Sequence, residues 1–213
     1  MKLKTHLLVL VFGIFIIGCG LSTDIVGVWR SPENAMTRYQ NICIAAMTEK
    51  VSNKQIVEQE MHVKLINKGI KSSKMTDLFP YKFTGQQAEK DLILEKVREN
   101  GNDAILTFAL IKHKEETRYV PGSSSYSPYH GYGTYGGYYG YYGARVYDPG
   151  YYTQDEVYFI ESNLYDVKTE KLVWSCQSKT YNPSDIVQFS KDFTLAITNQ
   201  LIKSKVIVPV TTK

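Results

Sequence analysis

Two spacings of apolar residues alternate along the first half of the chain. Through residues 39–47 the apolar positions Ile42, Cys43, Ile44, Ala45, Ala46 and Met47 run without a polar break, as in a strand buried on both faces. The spacing then becomes helical. Val57, Met61 and Leu65 step by four, joined by Ile56, Val63 and Ile66, while Ser52 with Gln55 reads as a capping box and Gly69 as the stop. Residues 70–75 make a second strand. A second helix repeats the grammar, with Thr84 as cap, Gln87 in the capping-box position, Ala88, Leu92 and Val97 inward, and Gly101 as stop. Residues 103–111 form a third buried strand.

Strand, helix, strand, helix, strand with connections this short implies parallel pairing through right-handed crossovers. The pattern then changes. Residues 112–120 continue as a charged, exposed strand, and residues 157–167 and 171–181 flank the tight turn Lys168-Thr169-Glu170 as an antiparallel hairpin. A last helix starts near Ser184, after Asn182-Pro183, with Ile186, Phe189, Phe193, Ile197 and Leu201 on one stripe. The expected fold is α/β: a single mixed sheet in one domain over residues 39–213, with a long insertion at 121–152. Residues 19–38, with Trp29 as their one aromatic residue, read as a tether that lays Trp29 onto the domain.

The N-terminus has the parts of a secretory signal: Lys2 and Lys4, an apolar run over residues 7–17, and Gly18 before a cut at Cys19. About 11 apolar residues can engage a translocase, but a spanning helix needs about 20. Removing residues 1–18 takes away two lysines and no acid, so the net charge of +4 falls to +2. So small a surplus is a poor footprint for nucleic acid. Two cysteines remain, Cys43 and Cys176, both in strand interiors. An exported compartment permits a disulfide between them, although a buried strand cysteine more commonly acts as a small apolar residue.

Little in the chain argues for chemistry. His62, His113 and His130 fall on a helix, a charged strand and a loop, with no metal-ligand spacing. No phosphate-binding glycine loop is present, and neither cysteine has a nucleophile's flanking motif. No catalytic residue, cofactor or metal is expected. Glu58, Glu60, Lys64, Asp91, Glu95 and Arg98 lie between inward helix positions and are expected to solvate the outer face, and Trp174 is expected in the core.

The insertion at 121–152 differs in kind. It holds eleven tyrosines among glycine and serine, with Val146 nearly alone as an aliphatic residue. Glycine costs backbone entropy and each buried phenol needs a partner, so this segment is expected to project as a long loop. Tyr132, Tyr135, Tyr138, Tyr139, Tyr141 and Tyr142 are its candidate contact surface, suited to stacking on proteins or on sugar rings. Arg145 and His130 are too few cations for a single-stranded nucleic-acid groove.

Residues Ile16-Ile17-Gly18-Cys19 resemble the lipobox of bacterial lipoproteins. The resemblance implies diacylglycerol on Cys19, with a further acyl chain such as palmitate on the freed amine, and two or three chains make membrane attachment stable. Gly20 stands where an inner-membrane retention signal places Asp, which favours an outer membrane. The order of Trp29, Leu65-Ile66-Asn67-Lys68-Gly69-Ile70, Gly101-Asn102-Asp103-Ala104-Ile105-Leu106 and the hairpin from Leu164 to Ser175 resembles envelope lipoproteins similar to the TolB N-terminal domain and to lipoproteins of curli secretion and penicillin-binding-protein activation. That likeness implies a non-enzymatic assembly or interaction role with an envelope protein. Binding of peptidoglycan glycan through the tyrosines is the alternative.

Overall fold

The apolar run over residues 42–46 becomes an interior strand of a six-stranded mixed sheet in the computed structural model, which describes residues 23–79, 87–120 and 151–210. The strands are β1 (Thr23–Arg30), β2 (Asn41–Met47), β3 (Lys71–Lys74), β4 (Ala104–Val120), β5 (Tyr151–Asp166) and β6 (Leu172–Tyr181), in the spatial order β1-β6-β5-β4-β2-β3. β2 pairs in parallel with β3 and β4, and every other pair is antiparallel. The expected mixed α/β sheet is therefore what forms.

The helices are α1 (Val51–Ile66), the single turn α2 (Met75–Leu78), α3 (Gln87–Glu99) and α4 (Ile186–Lys203). From β2 the chain moves to one neighbour through α1, then back across β2 through α3 to the other. Right-handed crossovers in opposite directions put their helices on opposite faces. Ile42, Ile44 and Ala46 accordingly face the main core beneath α1 and α4, while Cys43 and Ala45 face a smaller core with Met75, Val97 and Val167.

Val57, Met61 and Leu65 are buried as their spacing predicts, but Val63 and Ile66 are exposed. Val63 lies two residues from Met61, about 200° round the helix, so one stripe cannot include both. Likewise Ile93 and Val97 face the smaller core, leaving Leu92, expected inward, 46% exposed. Ser52 does not cap α1: the helix begins at Val51 and the N-cap position is Lys50, without a side-chain cap. Thr84 lies outside the described residues.

α4 carries a second stripe that the apolar pattern hid. Ser190, Thr194 and Thr198 are buried beside Phe193 and Ile197, and each hydroxyl donates to the carbonyl four residues back, Ile186, Ser190 and Thr194 respectively. The helix thus satisfies its own buried hydroxyls. Phe193 is fully buried, edge-on to Phe108 at 5.1 Å and stacked on Phe189 at 5.4 Å.

Three helices end in one way. The N–H of Ile70, Asn102 and Val206 reaches back to the carbonyl of Leu65, Val97 and Leu201, while Gly69, Gly101 and Lys205 hold positive φ just before. These are Schellman endings. At Gly69 the demand is double, since a Cβ there lies 2.7 Å from Val210 Cβ.

The N-terminal segment corrects the sequence reading. Thr23–Arg30, read as tether, is an edge strand paired antiparallel with β6, and Trp29 is 47% exposed instead of being laid down. Arg30 reaches the other way, donating to the carbonyls of Asn34, Thr37 and Ser204.

Candidate functional site: an apolar groove at one end of the sheet

Three elements diverge at one end of the sheet and leave a gap. β2 stops at Met47, α1 does not begin until Val51, and α4 enters from the side after Pro183. The result is an open groove of about 320 Å³, floored by Ala46, Phe108 and Ile160 and walled by Val57 of α1 and by Ile186, Phe189 and Phe193 of α4. Met47 and Leu110 bring further apolar surface to its mouth, and both are half exposed. A crevice beyond the carboxyl end of a parallel strand is where α/β sheets commonly take ligands.

Its polar groups are few, and two of them are already engaged. Asp185 Oδ1 accepts from the backbone N–H of Val187 and of Gln188 at 2.8 Å each, capping α4. Those bonds, the one from Gln188 foremost, hold its carboxyl below the ordinary value. Tyr158 donates its hydroxyl to Glu156 at 2.9 Å, which raises its pKa, and its ring stacks on His113 at 4.4 Å. Thr48 and Asn53 complete the polar lining, and among the described residues no Lys, Arg, His or Cys lines the groove. Such a surface can desolvate an apolar occupant.

The residues singled out from the sequence do not converge on the groove. Cys19 and the contact tyrosines Tyr132, Tyr135, Tyr138, Tyr139, Tyr141 and Tyr142 lie outside the described residues. The ends of the tyrosine segment are nonetheless placed: β4 and β5 stay paired, past a bulge at Ile111, to Val120 opposite Tyr151, whereas β6 stops pairing at Val157 opposite Tyr181. Beyond that point the two strands run on as a ribbon of six residues a side, about 20 Å long.

His62 meets Ser72 Oγ at 2.9 Å, far from the stacked His113 along the fold. Among the described residues no group of three His, Cys, Asp or Glu side chains is placed to hold a metal. Cys43 and Cys176 are free and buried on opposite faces of the sheet, separated by β4 and β5, so no disulfide joins them. Burial pushes each thiol up to about 12.

Glu58 is the main correction to the charged-residue reading. It is fully buried, and its carboxylate accepts from Ala46 N–H at 3.0 Å, Thr76 N–H at 2.9 Å and Thr76 Oγ1 at 2.8 Å. Burial raises its pKa against the pull of those donors. Arg98 is half exposed and paired with Glu170 at 2.9 Å. Trp174 is fully buried, as expected, and its indole donates to Ser204 Oγ.

The motif residues that carried the family resemblance turn out to do structural work. The Asp103 carboxylate accepts from the backbone N–H groups of Gln40 and Asn41, and Asn102 ties Ser73, Asn100 and Asn41 together. Asp166 accepts from Thr169 and from the Tyr39 hydroxyl. The groove itself was not foreseen, because Phe108, Phe189 and Phe193 read equally well as filled core. The available signal was Asn182-Pro183 followed by Asp185, which delays the start of α4 and holds its first turn off the sheet.

No family model matches this chain, and no curated protein matches it. Solved structures are similar at low identity. A PelC dodecamer from Paraburkholderia phytofirmans is 17% identical with a TM-score of 0.45, over 88% of this chain and 99% of that one. Lipoprotein GNA1162 from Neisseria meningitidis is 13% identical with a TM-score of 0.40, over 76% of this chain and 98% of that one. A minor lipoprotein from Acinetobacter baumannii is 8% identical with a TM-score of 0.31, over 83% and 99%. The TolB domain expected from the sequence is not among these three. Likeness at this level assigns neither an activity nor an assembly to this chain.

Proposed function

We propose that this chain is a bacterial envelope lipoprotein, anchored through acyl chains on Cys19, that acts without catalysis as an interaction module. The sheet is the scaffold and the tyrosine segment is the contact surface. The observation that carries the reading is the β4–β5 ribbon, whose last pair is Val120 with Tyr151: it mounts both ends of the segment at the tip of an arm, clear of β6. Among the described residues no helix is long and apolar enough to cross a membrane, and the lipobox supports attachment through Cys19. In a Gram-negative cell the domain then sits on the outer membrane, facing the periplasm.

The test separates anchor from contact. Cys19→Ser is expected to block processing or release the protein from membranes, and a cleaved, unlipidated form that stays on membranes in high salt refutes the anchor. Replacing residues 121–150 by a short Gly/Ser turn is expected to leave the fold intact, because loop-closure entropy grows only with the logarithm of length. The same change, or tyrosine to serine throughout the segment, is expected to abolish capture of the envelope partner, and tyrosine to phenylalanine to keep much of it. Unchanged capture in all three variants refutes the contact role.

One observation favours peptidoglycan as a second reading. The exposed Trp29 shares a face and a row of the sheet with Ser175, Asn163 and Thr107, all partly exposed. An aromatic ring beside small polar side chains suits a sugar ring. Loss of sedimentation with isolated peptidoglycan in Trp29→Ala, with the tyrosine segment intact, distinguishes this reading from the first.

A further inference from the structure

We propose that the groove at the end of the sheet houses one acyl chain of the lipid on Cys19, so that the anchor docks on its own domain. The inference rests on the lipidation reading above and adds a seat for the lipid.

The lining selects hydrocarbon. Floor and walls are apolar, the Asp185 carboxylate is held by two backbone N–H groups and the Tyr158 hydroxyl by Glu156. Among the described residues no cation lines the groove to hold a phosphate or carboxylate head inside. What remains is an open apolar volume of about 320 Å³, at the lower end of ligand-pocket sizes. Left to solvent, it exposes Phe189, Ile186, Met47 and Leu110 to water at one mouth, and covering them is favourable in proportion to the apolar area removed.

The register puts Thr23, four residues after Cys19, near that mouth. Thr23 pairs with Thr180, and Thr180 pairs with Tyr158, so all three stand in one row. Thr23 and Thr180 join hydroxyls at 2.8 Å on that row. Tyr158, a lining residue, is thus two strands from Thr23, about 10 Å. Three residues separate Cys19 from Thr23, a reach of at most about 14 Å for extended chain. Thr23, the first described residue, and the mouth of the groove therefore lie at the same end of the sheet, within the reach of the link from Cys19.

Withdrawing one chain from the bilayer is compatible with anchoring when the lipid carries two or three, since the others keep the protein attached. The consequence is a fixed attitude: a docked chain ties the groove end of the domain to the bilayer surface, where a bare tether leaves it free to turn.

The experiment uses the full chain in its own membrane. Cells are fed a palmitic acid bearing a diazirine near its methyl end, intact membranes are irradiated, and the purified protein is digested with trypsin for mass spectrometry. The expected result is a cross-link from the acyl chain of the Cys19 peptide to the peptide spanning residues 180–191, which carries Ile186 and Phe189. Ala46→Phe, which fills the floor, and Ile186→Trp, which narrows the mouth, are each expected to reduce it at least tenfold while circular dichroism stays unchanged. A labelled Cys19 cross-linked only to phospholipid overturns the docking, as does a groove peptide joined to phospholipid or to another protein in place of Cys19. A Cys19 peptide without any label overturns the lipidation reading itself, and the docking with it.

Discussion

Glu58 on α1 and Thr76 in α2 are joined through a single carboxylate oxygen, Oε2, which accepts the Thr76 N–H at 2.9 Å and its hydroxyl at 2.8 Å. The other oxygen takes the N–H of Ala46 at 3.0 Å. One buried side chain thereby fastens the end of β2 to the turn that follows β3. Because both oxygens face donors, Glu58→Gln places an amide N–H against an N–H. Chemical denaturation is expected to show a loss of about 1–3 kcal/mol, the cost of one buried unsatisfied group, despite unchanged size. A neutral effect refutes the bracket.

Lys205 is the non-glycine member of the three helix endings, at φ 56° with an exposed side chain. The left-handed region costs an ordinary residue about 1–2 kcal/mol, which glycine avoids. Lys205→Gly is therefore expected to stabilise the protein by roughly 0.5–1 kcal/mol after glycine's own entropy cost. Gly69→Ala is expected to destabilise by more, since Val210 already occupies the space of a Cβ. Thermal unfolding of the two variants side by side checks both signs.

The cysteines give a test by modification. With both thiols buried and pushed up to about 12, the thiolate that reacts is scarce at neutral pH. Neither Cys43 nor Cys176 is expected to react with iodoacetamide in the native protein, and both are expected to react once it is unfolded in guanidinium. Native labelling of either, read by mass spectrometry, contradicts the packing of its face.

Asp185 sets a pH dependence. Its folded value lies below the ordinary 3.8 because the Gln188 and Val187 N–H groups bind the charged form. A depressed carboxyl contributes stability that is fully present above its unfolded value and is lost as pH falls through the folded one. The wild-type chain is expected to lose this contribution on acidification below 3.8. Asp185→Asn keeps a capping acceptor but not the titration, so its stability curve should be flatter there. Parallel curves refute the assignment.

Periodicity made the sheet legible wherever one repeat decided burial. The run through Ile42 and Ala46, the step of four from Val57 to Leu65, and Gly69 and Gly101 each state a local physical requirement that the fold obeys. It misled where a residue beside the stripe was swept in, as with Leu92, Val63 and Ile66. It was silent where polar groups are buried by partners distant in sequence. Glu58 looks like any helix-surface glutamate until Thr76 and Ala46 arrive, and Ile25, Val26, Val28 and Trp29 of Thr23–Arg30, interrupted by Gly27, form an edge strand whose partner lies about 150 residues away. The groove was hidden for a related reason, since the same phenylalanines line a cavity or fill it depending on where α4 begins.

β1 also determines how the domain bears load. Its ladder with β6 runs from Thr23 to Arg30, and its hydrogen bonds lie across the strand axis. A pull on the chain ahead of Thr23, directed off the end of the sheet, acts along β1 and strains those bonds together in shear. The same pull applied sideways at Arg30 opens them one after another, as a zipper. With tension entering at Thr23, the edge strand resists as a unit, and a strand at the margin of the sheet becomes the one best placed to hold against a pull on the N-terminal segment.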